Sequence, residues 1–340
     1  MINLKDLNLF QTEKIIKDES LPSYRAKQLI NWIYRKFAIS VDEITEWSKA
    51  LRESFSKKYY IGNLILIDRK ISRDGTEKFL WKLEDEEQIE SVLLPDKDRL
   101  TLCISSQVGC ALKCRFCLTG QIGFKRNLKV WEIIDQFIQV TRLIEKDAKK
   151  ITNIVFMGMG EPLLNFENVI EALWRFKNLL QFSPQRITLS TAGIIPALKQ
   201  LPYKASNIKL AVSLNTVDPE MRSFLMPINK QYPLHELLNS LKEYPLKPRE
   251  RITFEYIMLK GINCSEKDAY RLAKLLRDIP SKINLIPFNP WAGSEFDNPD
   301  EEDIVNFQEI LISKGYSVFI RKSKGKDILA ACGQLKALYS

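Results

Sequence analysis

From about residue 98 onward, short strand-like runs alternate with amphipathic helical ones, and this alternation constrains the fold more than any other feature. The strand candidates are LTLCIS, ITNIVFM, RITLS, IKLAVSL, ITFEYIML, KINLIPF and YSVFIRK. VWEIIDQFIQVTRLIEK and SEKDAYRLAKLLRDI are examples of the helical stretches between them. Such alternation specifies an α/β protein in which helices cover a parallel sheet. About six βα units and no Gly-x-Gly-x-x-Gly fingerprint favour a partial (βα)6-type barrel over an open dinucleotide-binding sheet. Ligand-binding residues are then expected at the C-terminal ends of the strands.

The first third of the chain reads differently. Tyr24, Ala26, Leu29, Ile30, Ile33 and Tyr34 recur at helical spacing, and WSKALRESFSKKY is a second amphipathic stretch. LILIDRKI, KFLWKL and ESVLL follow as strand-like runs separated by charged turns such as SRDGTE. The expected organisation is a small N-terminal helical domain over 1–60, a β-extension over 61–97 and the α/β barrel over 98–340. No apolar run approaches the ~20 residues of a membrane helix, and MINLKDLNLF lacks the form of a secretory signal. A soluble cytoplasmic protein is the expectation. Fifty-one Lys and Arg against 42 Asp and Glu give a net charge of +9, which favours a polyanionic partner.

Cys103, Cys110, Cys114 and Cys117 fall within fifteen residues of one another, and Cys264 and Cys332 stand apart. In a reducing compartment such crowding reads as metal ligation or redox chemistry rather than a disulfide scaffold. The segment GCALKCRFC supplies three thiolates at C-x3-C-x2-C spacing from one loop after a strand. A four-iron cubane usually takes four thiolates, so three leave one iron open for chemistry. A structural zinc site is the bland alternative. It wants a closed set of four ligands, and His235 is the one histidine in the chain. Downstream, GMGEPLLN follows the next strand candidate. Its small residues let the backbone approach a ligand, and Glu161 can accept from an ammonium group.

This cysteine spacing together with the Gly-Glu-Pro stretch resembles the radical-SAM superfamily. YRAKQLINWIYRK, LCISSQVGCALKCRFCLTGQIGFKRNL, FMGMGEPLLN, ITLSTAGIIP, AVSLNTVDPEMRSFLMPIN, KINLIPFNPWAG and RKSKGKDILAACGQL are similar to one branch of it. That branch is the RlmN/Cfr-type RNA adenine methyltransferases, and the similarity spans nearly the whole chain. The resemblance implies a radical-SAM barrel holding a [4Fe–4S] cluster on Cys110, Cys114 and Cys117. It implies S-adenosylmethionine (SAM) contacts at Gly160, Glu161, Ser190, Ser213, Leu214, Asn215 and Asn289. In the family a C-terminal cysteine, matched by Cys332, is methylated first and carries the methyl group to the base. A second cysteine, matched by Cys103, resolves the RNA–enzyme adduct as a disulfide, and Glu90 matches the general base. For residues 1–60 the resemblance implies an RNA-binding accessory role.

The implied substrate is an adenine in 23S rRNA, with a tRNA adenine beside the anticodon as a second. C2 methylation is the first expectation and C8 methylation, the Cfr activity, its alternative. The other implied partner is an electron donor such as a flavodoxin system, and a monomer is expected. Where Asn215 stands the family usually has histidine, which removes any proton-moving role there. Glu90 also reads as a solvent-facing residue in an acidic run, and Cys264 as structural. Two basic clusters, Lys125, Arg126 and Lys129 and then Arg321, Lys322, Lys324 and Lys326, flank the site as candidate phosphate contacts, with Gly325 lending mobility.

Overall fold

The computed structural model describes residues 1–145 and 149–337. The strand candidates from 98 onward form β6 (Arg99–Cys103), β9 (Asn153–Phe156), β10 (Ile187–Thr191), β11 (Lys209–Ser213), β12 (Ile252–Met258), β13 (Ser281–Pro287) and β14 (Ser317–Ile320). β1 (Ile2–Asn3) and β2 (Tyr59–Tyr60) pair in parallel and close the N-terminal unit around the helices Leu9–Asp18, Tyr24–Tyr34 and Lys49–Ser56. Next come β3 (Ile65–Ile71), β4 (Glu77–Lys82) and β5 (Gln88–Asp96), an antiparallel meander. β5 then pairs antiparallel with β6, so the meander and the barrel are one ten-stranded sheet, ordered β14-β13-β12-β11-β10-β9-β6-β5-β4-β3. Within this sheet, every pairing from β6 across to β14 is parallel. The fold is thus the expected α/β partial barrel, extended at one side by the meander.

Between the barrel strands run helices such as Val130–Glu145, Phe166–Asn178 and Glu266–Leu275. The last residue of the first helical candidate, Lys146, lies outside the described residues. Strand periodicity divides the sheet into two faces. Leu102, Ile154, Leu189, Leu210, Val212, Phe254, Tyr256, Ile283 and Leu285 point to one face, are almost fully buried and join the helices in a single apolar core. On the other face the registers align Cys103 with Val155, Ser213 with Glu255, and Glu255 with Asn284. That polar face is where a ligand can be held.

The N-terminal unit is fixed to the barrel by charge. Lys5, fully buried, pairs with the equally buried Asp135 of the helix Val130–Glu145 and donates to Asn63 Oδ1 at 3.0 Å. The other Asp135 oxygen accepts the Leu64 amide at 2.7 Å. No helix among the described residues is long and apolar enough to cross a membrane.

Candidate active site

The three-cysteine loop is built by a short antiparallel pair absent from the sequence expectations, β7 (Gln107–Gly109) with β8 (Phe124–Asn127). Gly109 enters the loop at φ +72°, and a Cβ there would come within 1.8 Å of the Gly123 carbonyl, so only glycine fits. That carbonyl accepts the Cys110 amide at 2.9 Å, and the Cys114 carbonyl accepts the Cys117 amide at 3.1 Å. Cys117 then opens the short helix Leu118–Gln121. Burial pushes all three thiols up, Cys110 to about 12; at Cys114 the Cys117 and Cys110 thiols add to the rise, and Arg222 opposes it. Protonated thiols of this kind lose their protons outright on binding iron.

No three Cys, His, Asp or Glu groups among the described residues converge on a single ion position. A mononuclear zinc site needs that convergence. Thiolates bound to separate corners of an iron–sulfur cubane do not, so the buried, mutually adjacent thiols fit the cluster better than zinc. His235, 75% exposed in its side chain, takes no part, and Cys264 is buried in a turn.

The Gly-Glu-Pro stretch lies directly against this loop. Gly160 has φ +101°, and a Cβ there would meet Gln107 at 2.5 Å. Glu161 is buried: Oε1 accepts the Leu163 amide at 3.0 Å and Oε2 the Ala192 amide at 2.8 Å, so it ties the end of β9 to the end of β10. Burial raises its pKa while these bonds pull it down. The Thr191 hydroxyl also bonds this carboxylate, and the lone pair that remains can take a ligand donor. Ser190 and Ser213 stand near the C-terminal ends of β10 and β11, followed by the buried Leu214. Asn289 presents a buried Oδ1 with no hydrogen-bond partner among the described residues, the kind of orphan acceptor a nucleoside ligand would satisfy. Its Nδ2 donates to the Cys332 carbonyl at 3.2 Å.

Asn215 is placed less openly. It has φ +63°, a left-handed conformation that asparagine tolerates, and it is almost fully buried. Its Oδ1 accepts the Ile257 amide at 3.0 Å and its Nδ2 points at the Met226 sulfur at 3.3 Å. The side chain is engaged inside the protein, and the Asn215 backbone carbonyl accepts Asn263 Nδ2 at 2.6 Å.

The C-terminal segment packs onto the cysteine loop. The Leu118 amide donates to the Gly333 carbonyl at 2.8 Å, and the Thr119 hydroxyl to the Leu335 carbonyl at 2.7 Å. This places Cys332 beside the loop although more than 200 residues separate them. Cys332 retains exposed surface, yet desolvation pushes its thiol up to about 11. Cys103, buried at the end of β6, is raised by burial and then by the Cys332 thiol. The two cysteines, from opposite ends of the barrel sequence, are therefore close enough for their charges to interact.

Glu90 is buried, not solvent-facing: Oε1 pairs with Lys78 Nζ at 2.9 Å and Oε2 accepts the Lys336 amide at 2.7 Å. Sequence reading missed Lys78, although a hairpin register would have found it as a diagonal neighbour across β4 and β5. It also missed Arg222, which no local pattern signals. The basic clusters differ in availability. Arg126 is engaged by Asp85 and Glu132 at 2.6 and 2.7 Å, and Lys324 donates to the Pro95 carbonyl. Lys125, Lys129, Arg321, Lys322 and Lys326 remain exposed. Gly325 is no mobile link. It holds φ +65°, its amide donates to Asp74 at 2.9 Å, and a Cβ would strike Ala330 at 2.8 Å.

The radical SAM superfamily model matches residues 104–273, and the ribosomal RNA large subunit methyltransferase N-terminal domain matches residues 2–61. The chain is 46% identical over 338 residues to the dual-specificity RNA methyltransferase RlmN of Geobacter sulfurreducens, covering 99% of this chain and 92% of that protein. It is 47% identical to the same-named protein of Pelobacter propionicus, covering 98% and 95%. The crystal structure of a radical SAM methyltransferase from Sphaerobacter thermophilus superposes with a TM-score of 0.95 at 38% identity, covering 99% of this chain and all of that one.

Proposed function

The chain belongs to the RlmN family of radical-SAM RNA methyltransferases, and from that premise we propose that it methylates C2 of an adenine in 23S rRNA and of a tRNA adenine beside the anticodon. C2 is an electron-poor sp2 carbon without a lone pair, so polar methyl transfer from SAM to it has no nucleophile to use. When bound, the cluster and SAM supply a 5′-deoxyadenosyl radical.

The remaining steps fall to residues of this chain. Cys332 carries the methyl group. Its sulfur accepts it from SAM, and hydrogen loss from the S-methyl group leaves the carbon that bonds to C2. Glu90 accepts the C2 proton, and the Lys78 ammonium and the Lys336 amide hold its carboxylate in place. The Cys103 thiol gives up its proton and attacks the Cys332 sulfur: the S–S bond forms as the S–CH2 bond breaks, and the freed carbon takes up a proton to complete the methyl group. The adduct's unpaired electron would return to the cluster, and an electron donor such as a flavodoxin system then reduces the disulfide. Cys110, Cys114 and Cys117 hold the cluster. Gly160, Glu161, Ser190, Ser213, Leu214, Asn215 and Asn289 line the SAM site. The exposed Lys125, Lys129, Arg321, Lys322 and Lys326 meet phosphates, and residues 1–60 add RNA contacts.

One observation carries this reading: the Gly333 carbonyl, next to Cys332, accepts the amide that follows Cys117, joining the methyl carrier to the cluster loop. The test is anaerobic reconstitution with SAM, a reductant and rRNA fragments, followed by nucleoside mass spectrometry. 2-Methyladenosine is expected, and Cys332→Ala abolishes it. 8-Methyladenosine without the 2-isomer would reassign the carbon, and product formation by Cys332→Ala would remove the relay.

A further inference from the structure

Arg222 is fully buried, yet among the described residues it has no ion-pair partner. It lies on the helix Pro219–Leu225, whose first turn is capped by Asp218 through the Glu220 and Met221 amides at 3.0 Å. Its guanidinium reaches the ends of two strands: Nη1 donates to the Leu214 carbonyl at 2.7 Å, and Nη2 to the Ala192 carbonyl at 2.9 Å. Nε has no hydrogen-bond partner among the described residues. Desolvation lowers its pKa to about 10, and the one ionisable group acting against that is Cys114. The same helix is tied to the cysteine loop, since the Leu225 carbonyl accepts the Arg115 amide at 3.0 Å.

A buried cation without a counter-charge is costly, and carbonyl dipoles recover only part of that cost. Guanidinium is moreover never neutral at working pH. Such a charge is tolerable where an anion arrives later. Three thiolates leave the cluster assembly net negative, and one-electron reduction makes it more so. We propose that Arg222 is the fixed positive charge that balances the iron–sulfur cluster at its Cys114 side and thereby raises the cluster's reduction potential. It is a positioning residue, since it touches strand ends rather than reacting atoms. The inference rests on the cluster and not on the methyl relay through Cys332, so failure of either leaves the other standing.

The experiment is potentiometric titration of the anaerobically reconstituted full chain, followed by electron paramagnetic resonance, with iron content measured alongside and no RNA present. Arg222→Gln removes the charge and keeps a donor, whereas Arg222→Lys keeps the charge without the planar fork. The glutamine protein is expected to hold less iron, and its loaded fraction to be reduced at least tenfold less readily at a fixed potential. For a one-electron couple that is about 59 mV more negative. The lysine protein is expected to stay near the wild-type potential. A glutamine protein with wild-type iron content and potential overturns the proposal. If the glutamine protein will not load, the lysine protein decides: loading at near wild-type potential supports the proposal. A folded lysine protein that also fails to load overturns it. Failure of both variants to fold overturns it too, because bridging of strand-end carbonyls then accounts for the residue.

Discussion

Lys5 and Arg222 are both cations with no exposed surface, and the protein treats them in opposite ways. Lys5 meets Asp135, and around that pair Asn63 and Gln139 and the Leu64 amide complete the hydrogen bonds. Its charge is neutralised by the fold itself, at the seam between the N-terminal unit and the barrel. Arg222 meets carbonyl oxygens and a methionine sulfur, with Nε left unpartnered among the described residues. Its charge is left open, at the end of the strands beside the cysteine loop. A buried charge closed by its own fold belongs to architecture, while one left open marks where something charged is to bind.

Breaking the closed pair should have the largest effect. Asp135→Asn leaves Lys5 buried without a counter-charge, and unfolding of the cluster-free protein in urea should show a loss of about 3–5 kcal/mol. Methyl transfer per folded molecule should be unchanged, because the pair lies outside the site. Replacing both partners, as Lys5→Met with Asp135→Leu, should recover most of that loss. A double variant as unstable as Asp135→Asn would mean that the surrounding hydrogen bonds, not the ion pair, make the seam.

The open charge should matter less to the empty protein. Arg222→Gln breaks no ion pair, so the cluster-free protein should lose only about 1–2 kcal/mol, the scale of the carbonyl hydrogen bonds it gives up. The same urea titration checks it. A loss as large as that of Asp135→Asn would erase the distinction between the two cations.

How much of this was legible in the sequence follows from how far each signal reaches. The strands of the barrel and the meander were visible because apolar periodicity is a local property, and the cysteine loop because its ligands lie within eight residues. The joining of the meander to the barrel through β5 and β6 was not, since a register between elements is set by packing rather than by either strand. Residue by residue, the failures share one cause. Arg126 reads as a phosphate contact until Asp85, 41 residues away, is brought to it. Gly325 reads as a hinge until Asp74, 251 residues away, accepts its amide. Lys78 lies in no motif, and Arg222 stands inside AVSLNTVDPEMRSFLMPIN with no role marked by that stretch, because the meaning of both is given by partners that only the fold assembles.

Asp74 offers the smallest and most discriminating test, because it repeats the Arg222 arrangement with opposite sign at the surface. Burial pulls its pKa up, but the Gly325 amide, Thr76 and Ser72 outweigh that and bring it down from the ordinary 3.8 to about 2. It too is a charge held by donors and dipoles rather than by an ion pair, yet water reaches it. The folded state therefore binds its proton more weakly than the unfolded chain does. Its contribution is present above pH ~3.8 and drains away as the pH falls toward ~2. Solvent screening keeps that contribution below about 1 kcal/mol. Asp74→Asn should accordingly be slightly less stable than the wild type at pH 6, with the two unfolding midpoints converging between pH ~4 and ~2. A gap that stays constant through that window would show that the Asp74 charge does nothing for the turn at Gly325. The dipole-held charge would then stabilise the fold only where water is excluded, as it is around Arg222.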